Sequence, residues 1–322
     1  MSVQPNIVYV MADDMGYGDP GCYNGESKIP TPNMDRLARE GVRFSDAHAG
    51  SSVCTPSRYS VLTGRYCWRT RLKDGVIGGF DLPLIEKDRP TIASMLKKTG
   101  YTTAAVGKWH VGLQWQAKEG HEKDFDTEEW KDEGFVDYTK PIQDGPLQHG
   151  FDYFFGIAGS LDMPPYSFIE NDRTVGVPDI PKRKRGVQQA PGFQTDDWED
   201  ELVDTRLAQK ACGFIERSAA KSDPFFLYLT PAAPHRPCLP PDFAVGKSNA
   251  GNRGDMVWVF DWVVGRVLDT LDECGCAGNT LVVVTSDNGA NPCDDDGEFW
   301  NHKSCGDLRG YKTHIWEGGH RV

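Results

Sequence analysis

Adjacent carboxylates at Asp13 and Asp14 close one apolar run, residues 6–11, and Asp287 with Asn288 closes another, residues 280–285. All four side chains offer oxygen donors, a set that suits a hard cation such as Ca²⁺ or Mg²⁺ better than zinc. Either pair alone also reads as a cap or turn former. Two pairs, each closing an apolar run, favour the metal. Lys108 and His110 follow a third run, residues 101–106, and share a face if the chain stays extended there. His235 follows a fourth run, residues 225–229. Cys54 stands where a short helix should begin, with Thr55 as N-cap, Pro56 in the first turn and Gly64 as the stop. A helix N-terminus favours an anion, and Arg58, one turn on, adds charge to the same face. The same residues also describe a buried thiol beside a structural Arg. An unmodified thiol is in any case a soft partner for a hard cation. His121, His149 and His314 carry no comparable setting and read as structural.

The elements that must position these groups alternate. Residues 6–11, 42–49, 101–106, 225–229 and 280–285 read as strands. Between them lie helices capped at Thr31 and Thr91, and two longer amphipathic ones. The first carries Trp198, Leu202, Leu207, Ala211, Phe214 and Ile215; the second carries Met256, Phe260, Val263, Val267 and Leu271. The pattern predicts an α/β fold with a mostly parallel central sheet flanked by helices. In such sheets ligands bind beyond the carboxyl ends of the strands, so the four polar strand ends should converge on one site. Residues 112–196, irregular and rich in Pro, Gly and aromatics, read as an insertion over one face of the sheet.

Composition narrows the function. Thirty-five Lys and Arg against 47 Asp and Glu leave the 322-residue chain at −12, which argues against a nucleic-acid binder. An anionic substrate then needs a local cationic pocket. No stretch approaches the ~18 apolar residues of a membrane span, and no basic-then-apolar leader opens the sequence. Two locations stay open: the cytoplasm, or the periplasm or the exterior if the chain begins after processing. Nine scattered cysteines without a C-x-x-C pair argue against zinc or thioredoxin-like chemistry.

These residues resemble the type I, formylglycine-dependent sulfatases of the alkaline-phosphatase-like superfamily. Cys54 to Arg58 matches the C-x-P-S-R signature, and Gly100 to His110 matches G-Y-x-T-x-x-x-G-K-x-H. The Asp13-to-Asp19 stretch (DDMGYGD), the Asp287-Asn288-Gly289 element and Lys312 with Trp316, Glu317, Gly318 and Gly319 fall in family order. The resemblance implies that Cys54 is oxidised to formylglycine by a maturation enzyme. It implies one divalent cation, usually Ca²⁺ with Mg²⁺ as the alternative, on Asp13, Asp14, Asp287, Asn288 and the modified Cys54. Arg58 would activate the formylglycine hydrate. Lys108, Lys312 and His235 would grip the sulfate and the leaving oxygen, His110 would regenerate the aldehyde, and Ser160 would contact sulfate.

The implied reaction is hydrolysis of a sulfate monoester. A hydrate hydroxyl attacks sulfur, cations stabilise the charge on its oxygens, and a general acid protonates the departing alcohol. Segments around Ser160 and at His302 and Lys303 resemble substrate-side segments of bacterial sulfatases acting on sulfated sugars, which points to a carbohydrate sulfate, at a primary 6-position, or an aryl sulfate. Lys182 to Arg185 reads as a solvated loop, or as a guide for a polyanion. Family members continue past the Glu-Gly-Gly element, so a small C-terminal subdomain is expected to be absent and the chain to be the catalytic N-terminal domain. Three alternatives stand beside this reading: a phosphoester hydrolase of the same superfamily, a non-catalytic Ca²⁺-dependent glycan binder, and an inactive fragment.

Overall fold

The computed structural model describes residues 4–121, 134–185, 189–291 and 301–322. Strand β1 (Asn6–Ala12) lies inside the sheet. Its alternation sends Val8, Val10 and Ala12 into one apolar cluster and Met11, with Ile7 and Tyr9, into another on the opposite face. Strand β2 (Thr102–Lys108) pairs in parallel with β3 (Tyr153–Ile157). The hairpin of β4 (Ile169–Glu170) and β5 (Arg173–Thr174) continues that side antiparallel. Strands β6 (Ile180–Pro181) and β7 (Phe193–Gln194) form a separate small pair. Strand β8 (Phe225–Thr230) fits between β2 and β1, and β9 (Thr280–Ser286) lies on the far side of β1, all parallel. The seven-stranded order is β5-β4-β3-β2-β8-β1-β9.

Helices cover both faces. Helix α1 (Pro32–Glu40) sends Met34 into the first cluster. Helix α2 (Cys54–Thr63) adds Tyr59 and Leu62 to the second, and α3 (Ile92–Lys98) adds Ala93. Helices α4 (Val203–Ala219) and α5 (Gly251–Glu273) pack their apolar faces into the first cluster. A single turn, α6 (Glu317–His320), lies near the chain end. The mostly parallel α/β sheet is the fold expected. Among the described residues no helix is long and apolar enough to cross a membrane. Among the described residues Cys22, Cys54, Cys67, Cys212, Cys274, Cys276 and Cys305 are free thiols, and Cys293 lies outside the described residues.

Several local expectations need correction. Residues 42–49 are not a strand: Val42 and Phe44 are 79% and 66% exposed, and among the described residues the segment's one ladder contact is an isolated bridge, His48 to Arg321. Alternation alone does not supply a paired edge. Thr55 is not the cap of α2; Val53 is, and the Thr55 hydroxyl accepts from Ile77 N at 3.3 Å. Thr31 precedes α1 without a side-chain cap bond, because Asp261 of α5 accepts from Asn33 N and Met34 N at 3.2 and 2.8 Å instead. Thr91 does cap α3, in a reciprocal box with Ser94. Trp198 and Leu202 precede α4, Leu202 in a short 3-10 turn.

The 112–196 region is not simply an insertion over the sheet, since it contributes the core strand β3. Its YFFGI run is fully apolar but sits among loop-forming residues, which hid it. Gly156 lets β3 approach β2 there: a Cβ would lie 1.8 Å from the Gly107 carbonyl oxygen.

Candidate active site

Each ligand-bearing loop leaves the carboxyl end of a parallel strand. Asp13 and Asp14 follow β1, Lys108 is the last residue of β2, Ser160 lies just beyond β3, His235 follows β8, and Asp287 and Asn288 follow β9. Cys54, 2% exposed, is the first residue of α2. Its thiol points to Asp13 Oδ1 at 3.5 Å and Asp14 Oδ1 at 3.9 Å. Asn288 Nδ2 donates to Asp14 Oδ1 at 2.7 Å, and Asp14 N donates to Asp287 Oδ1 at 3.1 Å. The four oxygen-donor residues and Cys54 are therefore one cluster.

Cations close it. Lys108 Nζ bonds Asp13 Oδ2 and Ser160 Oγ, both at 2.7 Å. Lys312 Nζ bonds Asp14 Oδ2 at 2.6 Å. Arg58 Nη2 lies 2.8 Å from Asp287 Oδ2 and 3.4 Å from Asp13 Oδ1, while Nη1 donates to the Lys108 carbonyl at 3.1 Å. Side chains with no access to water rarely hold net charge unpaired. Three carboxylates and three permanent cations satisfy that requirement.

The surroundings set the protonation states. Burial opposes ionisation of Asp13, yet Lys108, His235, Arg58 and Lys312 hold it well below the usual carboxylate range. Asp14 is lowered in the same way, against burial, by Lys312 and His235. Asp287 goes the other way, to about 6, through burial and the negative charge of Asp13. Burial also pushes the Cys54 thiol up, although Lys108 and Lys312 oppose it, so the unmodified side chain stays a thiol and a poor nucleophile.

The two histidines differ. His110 Nε2 lies 2.6 Å from the Ile77 carbonyl oxygen, which can only accept, so Nε2 carries the hydrogen and Nδ1 the lone pair. That Nδ1 is buried without a partner among the described residues. Burial, then the charges of Lys108 and Arg58, hold His110 well below the usual histidine range, which leaves a neutral imidazole with a free base nitrogen. His110 has φ 54°, so the chain has left the extended conformation and Lys108 and His110 do not share a face by alternation. His235 donates Nδ1–H to the Arg236 carbonyl at 2.7 Å and turns Nε2 toward Asp14 Oδ2 at 3.6 Å. Its Nδ1 is also 3.4 Å from Ser160 Oγ.

The donor chemistry fits a hard cation. Asn288 Oδ1 is buried with no hydrogen-bond partner among the described residues, its amide Nδ2 bonds Asp14, and Asp14 in turn bonds Asp287. Ligand atoms of Asp13, Asp14, Cys54 and His235 all fall within 4.8 Å of one another. His235 enters that group by geometry, but an imidazole is the softer donor, and the oxygen set suits Ca²⁺ or Mg²⁺ better.

Two sequence candidates lie elsewhere. His302, its side chain 2% exposed, turns Nε2 to Asp19 Oδ1 at 2.9 Å and does not join the cluster around Cys54. Lys303 is 66% exposed and pairs with Asp307 at 2.8 Å. In the basic segment, Lys182 pairs with Asp200 at 2.5 Å and Arg185 with Glu201, so part of its charge is neutralised within the chain. Three contributors escaped the sequence reading: the Ile77 carbonyl that fixes His110, Asp19, and Arg253. Asp19 closed the quoted DDMGYGD stretch, whereas an Arg in the first turn of an apolar helix gave no signal.

The parallel sheet's strand ends thus bring an acidic cluster, permanent cations and two imidazoles around one helix-start residue, the arrangement that the resemblance to alkaline-phosphatase-like sulfatases implies. The family model described as Sulfatase matches residues 5–322, and the chain belongs to the sulfatase family. It is 34% identical to an N-acetylgalactosamine-6-O-sulfatase of Bacteroides thetaiotaomicron, over all of this chain and 67% of that protein. It is 33% identical to human steryl-sulfatase, over 99% of this chain and 60% of the relative. A solved structure from work on glycosaminoglycan metabolism by Bacteroides thetaiotaomicron superposes with a TM-score of 0.86 at 33% identity, covering 99% of this chain and 71% of the other. The chain thus spans 60–67% of the length of these curated relatives.

Proposed function

We propose that this chain carries the catalytic site of a sulfuric ester hydrolase that removes sulfate from a sulfated carbohydrate. The observation behind the reading is the convergence of Asp13, Asp14, Asp287, Asn288, Arg58, Lys108 and Lys312 around Cys54 at the start of α2. Formylglycine at position 54, installed by a maturation enzyme, supplies as its hydrate an oxygen nucleophile where the thiol sulfur now sits. A divalent cation, Ca²⁺ by preference, supplies Lewis-acid charge when held by Asp13, Asp14, Asp287, Asn288 and residue 54.

The chain's own groups divide the remaining work. Arg58, anchored to Asp287, orients the residue-54 side chain. Lys108 and Lys312, with Ser160 beside Lys108, bind sulfate oxygens and stabilise the charge that develops on them. His235 protonates the departing sugar oxygen, so the S–O bond breaks without expelling an alkoxide. His110, neutral and with Nδ1 unpartnered among the described residues, would take the proton from the residue-54 hydroxyl as the C–O bond to sulfate breaks, so that sulfate leaves and the aldehyde returns.

The Bacteroides relative named for N-acetylgalactosamine-6-O-sulfate supports a primary 6-sulfate on a sugar. Inorganic sulfate release from 6-O-sulfated N-acetylgalactosamine tests this, alongside the 4-O isomer, an aryl sulfate and a phosphate monoester. The modified, Ca²⁺-loaded protein should prefer the 6-sulfate, and Cys54→Ala should release none. Phosphate release without sulfate release would assign the chain to the phosphoester hydrolases. Loss of all hydrolysis with retained glycan binding would make it a binding relative.

A further inference from the structure

Asp14 is the one cluster carboxylate in the left-handed region, at φ 70°. An L-residue stays there only when its peptide is over-determined by neighbours. Two bonds come from the β9 loop: Asp14 N to Asp287 Oδ1 at 3.1 Å and Met15 N to Ser286 Oγ at 3.0 Å. The third comes from outside the cluster. Arg253, in the first turn of α5 and 2% exposed, donates Nη2 to the Asp14 carbonyl at 2.9 Å.

Arg253 is itself held by a buried fork. Nη1 and Nη2 bond Asp19 Oδ1 and Oδ2 at 3.0 and 2.7 Å, and Nη1 also bonds Ser304 Oγ at 3.0 Å. Asp19 accepts from Gly16 N at 2.7 Å and stands 2.9 Å from His302 Nε2. The loop has no slack around this fork, since a Cβ at Gly16 would lie 2.1 Å from the Ser304 carbonyl oxygen.

We propose that Arg253, braced by Asp19 and His302, is a positioning residue that fixes the Asp14 peptide so that its carboxylate faces the cation. The inference rests on the metal reading given above. A guanidinium suits the task because one rigid plane reaches both Asp19 oxygens and the Asp14 carbonyl, which an ammonium cannot match.

Calorimetric titration of the EDTA-stripped full chain with Ca²⁺, paired with its melting temperature, separates positioning from general support. Arg253→Lys and Asp19→Asn should weaken Ca²⁺ binding about 10–100-fold, the usual penalty for losing a partner behind a metal ligand. Asp255 lies on the same helix and ties down residues 246 and 248 through its carboxylate. Asp255→Asn should lower the melting temperature and keep Ca²⁺ affinity within about twofold. His302→Leu should weaken Ca²⁺ binding more than His302→Gln, which keeps an N–H for Asp19.

Unchanged affinity in folded Arg253→Lys, or equal weakening in Asp255→Asn, overturns the inference. Where Arg253→Lys does not fold, equal affinities of the two His302 variants overturn it. Absence of Ca²⁺ binding by the unsubstituted chain would instead overturn the metal reading, and this inference with it.

Discussion

Strand β1 ends in a region that is closed and polar, and borders one that is open and apolar. At its carboxyl end Asp13, Asp14, Asp287, Arg58 and Lys108 are each at most 1% exposed and bonded to one another. Beside it, β9 pairs only with β1 among the described residues, and a groove of about 750 Å³ opens along it, lined by Tyr9, Met11, Phe44, Leu268 and Val282 among others. Around that flank Val42, Phe44 and Leu281 are 79%, 66% and 54% exposed. The contrast separates two kinds of constraint. A buried charge demands a partner, so its removal strands another charge. An exposed apolar group demands nothing, so changing it leaves the rest undisturbed.

The sharpest break in the comparison is Cys54→Ala, which should abolish turnover while circular dichroism stays native; substantial residual activity would place the nucleophile elsewhere. Next come the imidazoles, whose acid–base roles typically contribute ~10²–10⁴-fold. His235→Ala should slow alkyl sulfates far more than aryl sulfates of acidic phenols, which need little protonation to leave. His110→Ala should slow both and show a burst of released phenol matching the enzyme concentration. Equal losses on both substrates for His235→Ala, with no burst for His110→Ala, would show the roles to be misassigned.

Part of this was legible in sequence and part was not. Polar residues closing apolar runs were visible one by one, and the rule that parallel strands present ligands at their carboxyl ends assembled them. Residues 42–49 misled because period-two alternation reports a face, and says nothing about whether a neighbouring strand is there to pair. Strand β3 was hidden because a short apolar run among loop residues looks the same whether buried in a sheet or packed in a loop. His302 was assigned to substrate by its segment, yet its ring spends its hydrogen bond on Asp19. Arg253 and Ile77 act across long sequence separations, through a guanidinium fork and a main-chain carbonyl, and no spacing pattern marks either.

A smaller effect concerns pH. His110 is held neutral below the usual histidine range, so between pH 6.5 and its depressed folded value the unfolded chain binds the extra proton. Its contribution is present above about pH 6.5 and is lost on acidification, at up to about 1.4 kcal/mol per pH unit. Asp287, raised to about 6, acts in the opposite sense: its stability is present at low pH and lost as pH rises through about 6. Melting curves from pH 7 to 5 should therefore fall less steeply for His110→Gln than for the unsubstituted chain. An identical or steeper fall would contradict a buried neutral His110.

The smallest effects belong to the open flank. Leu281→Lys and Phe44→Ser should lower the binding of a hydrophobic dye and change stability by no more than about 0.5 kcal/mol, with turnover preserved. A loss of turnover comparable to that of the histidine variants would mean that the two regions are not independent.

The central claim is that the charged cluster exists to serve a modified residue 54. Mass spectrometry of the peptide containing Cys54, from protein made together with a competent maturation enzyme, tests it most directly. The account predicts that the sulfur is gone and an aldehyde, trappable by a hydrazide, stands in its place. An intact thiol in every molecule, under conditions where a control C-x-P-S-R protein is converted, would contradict it.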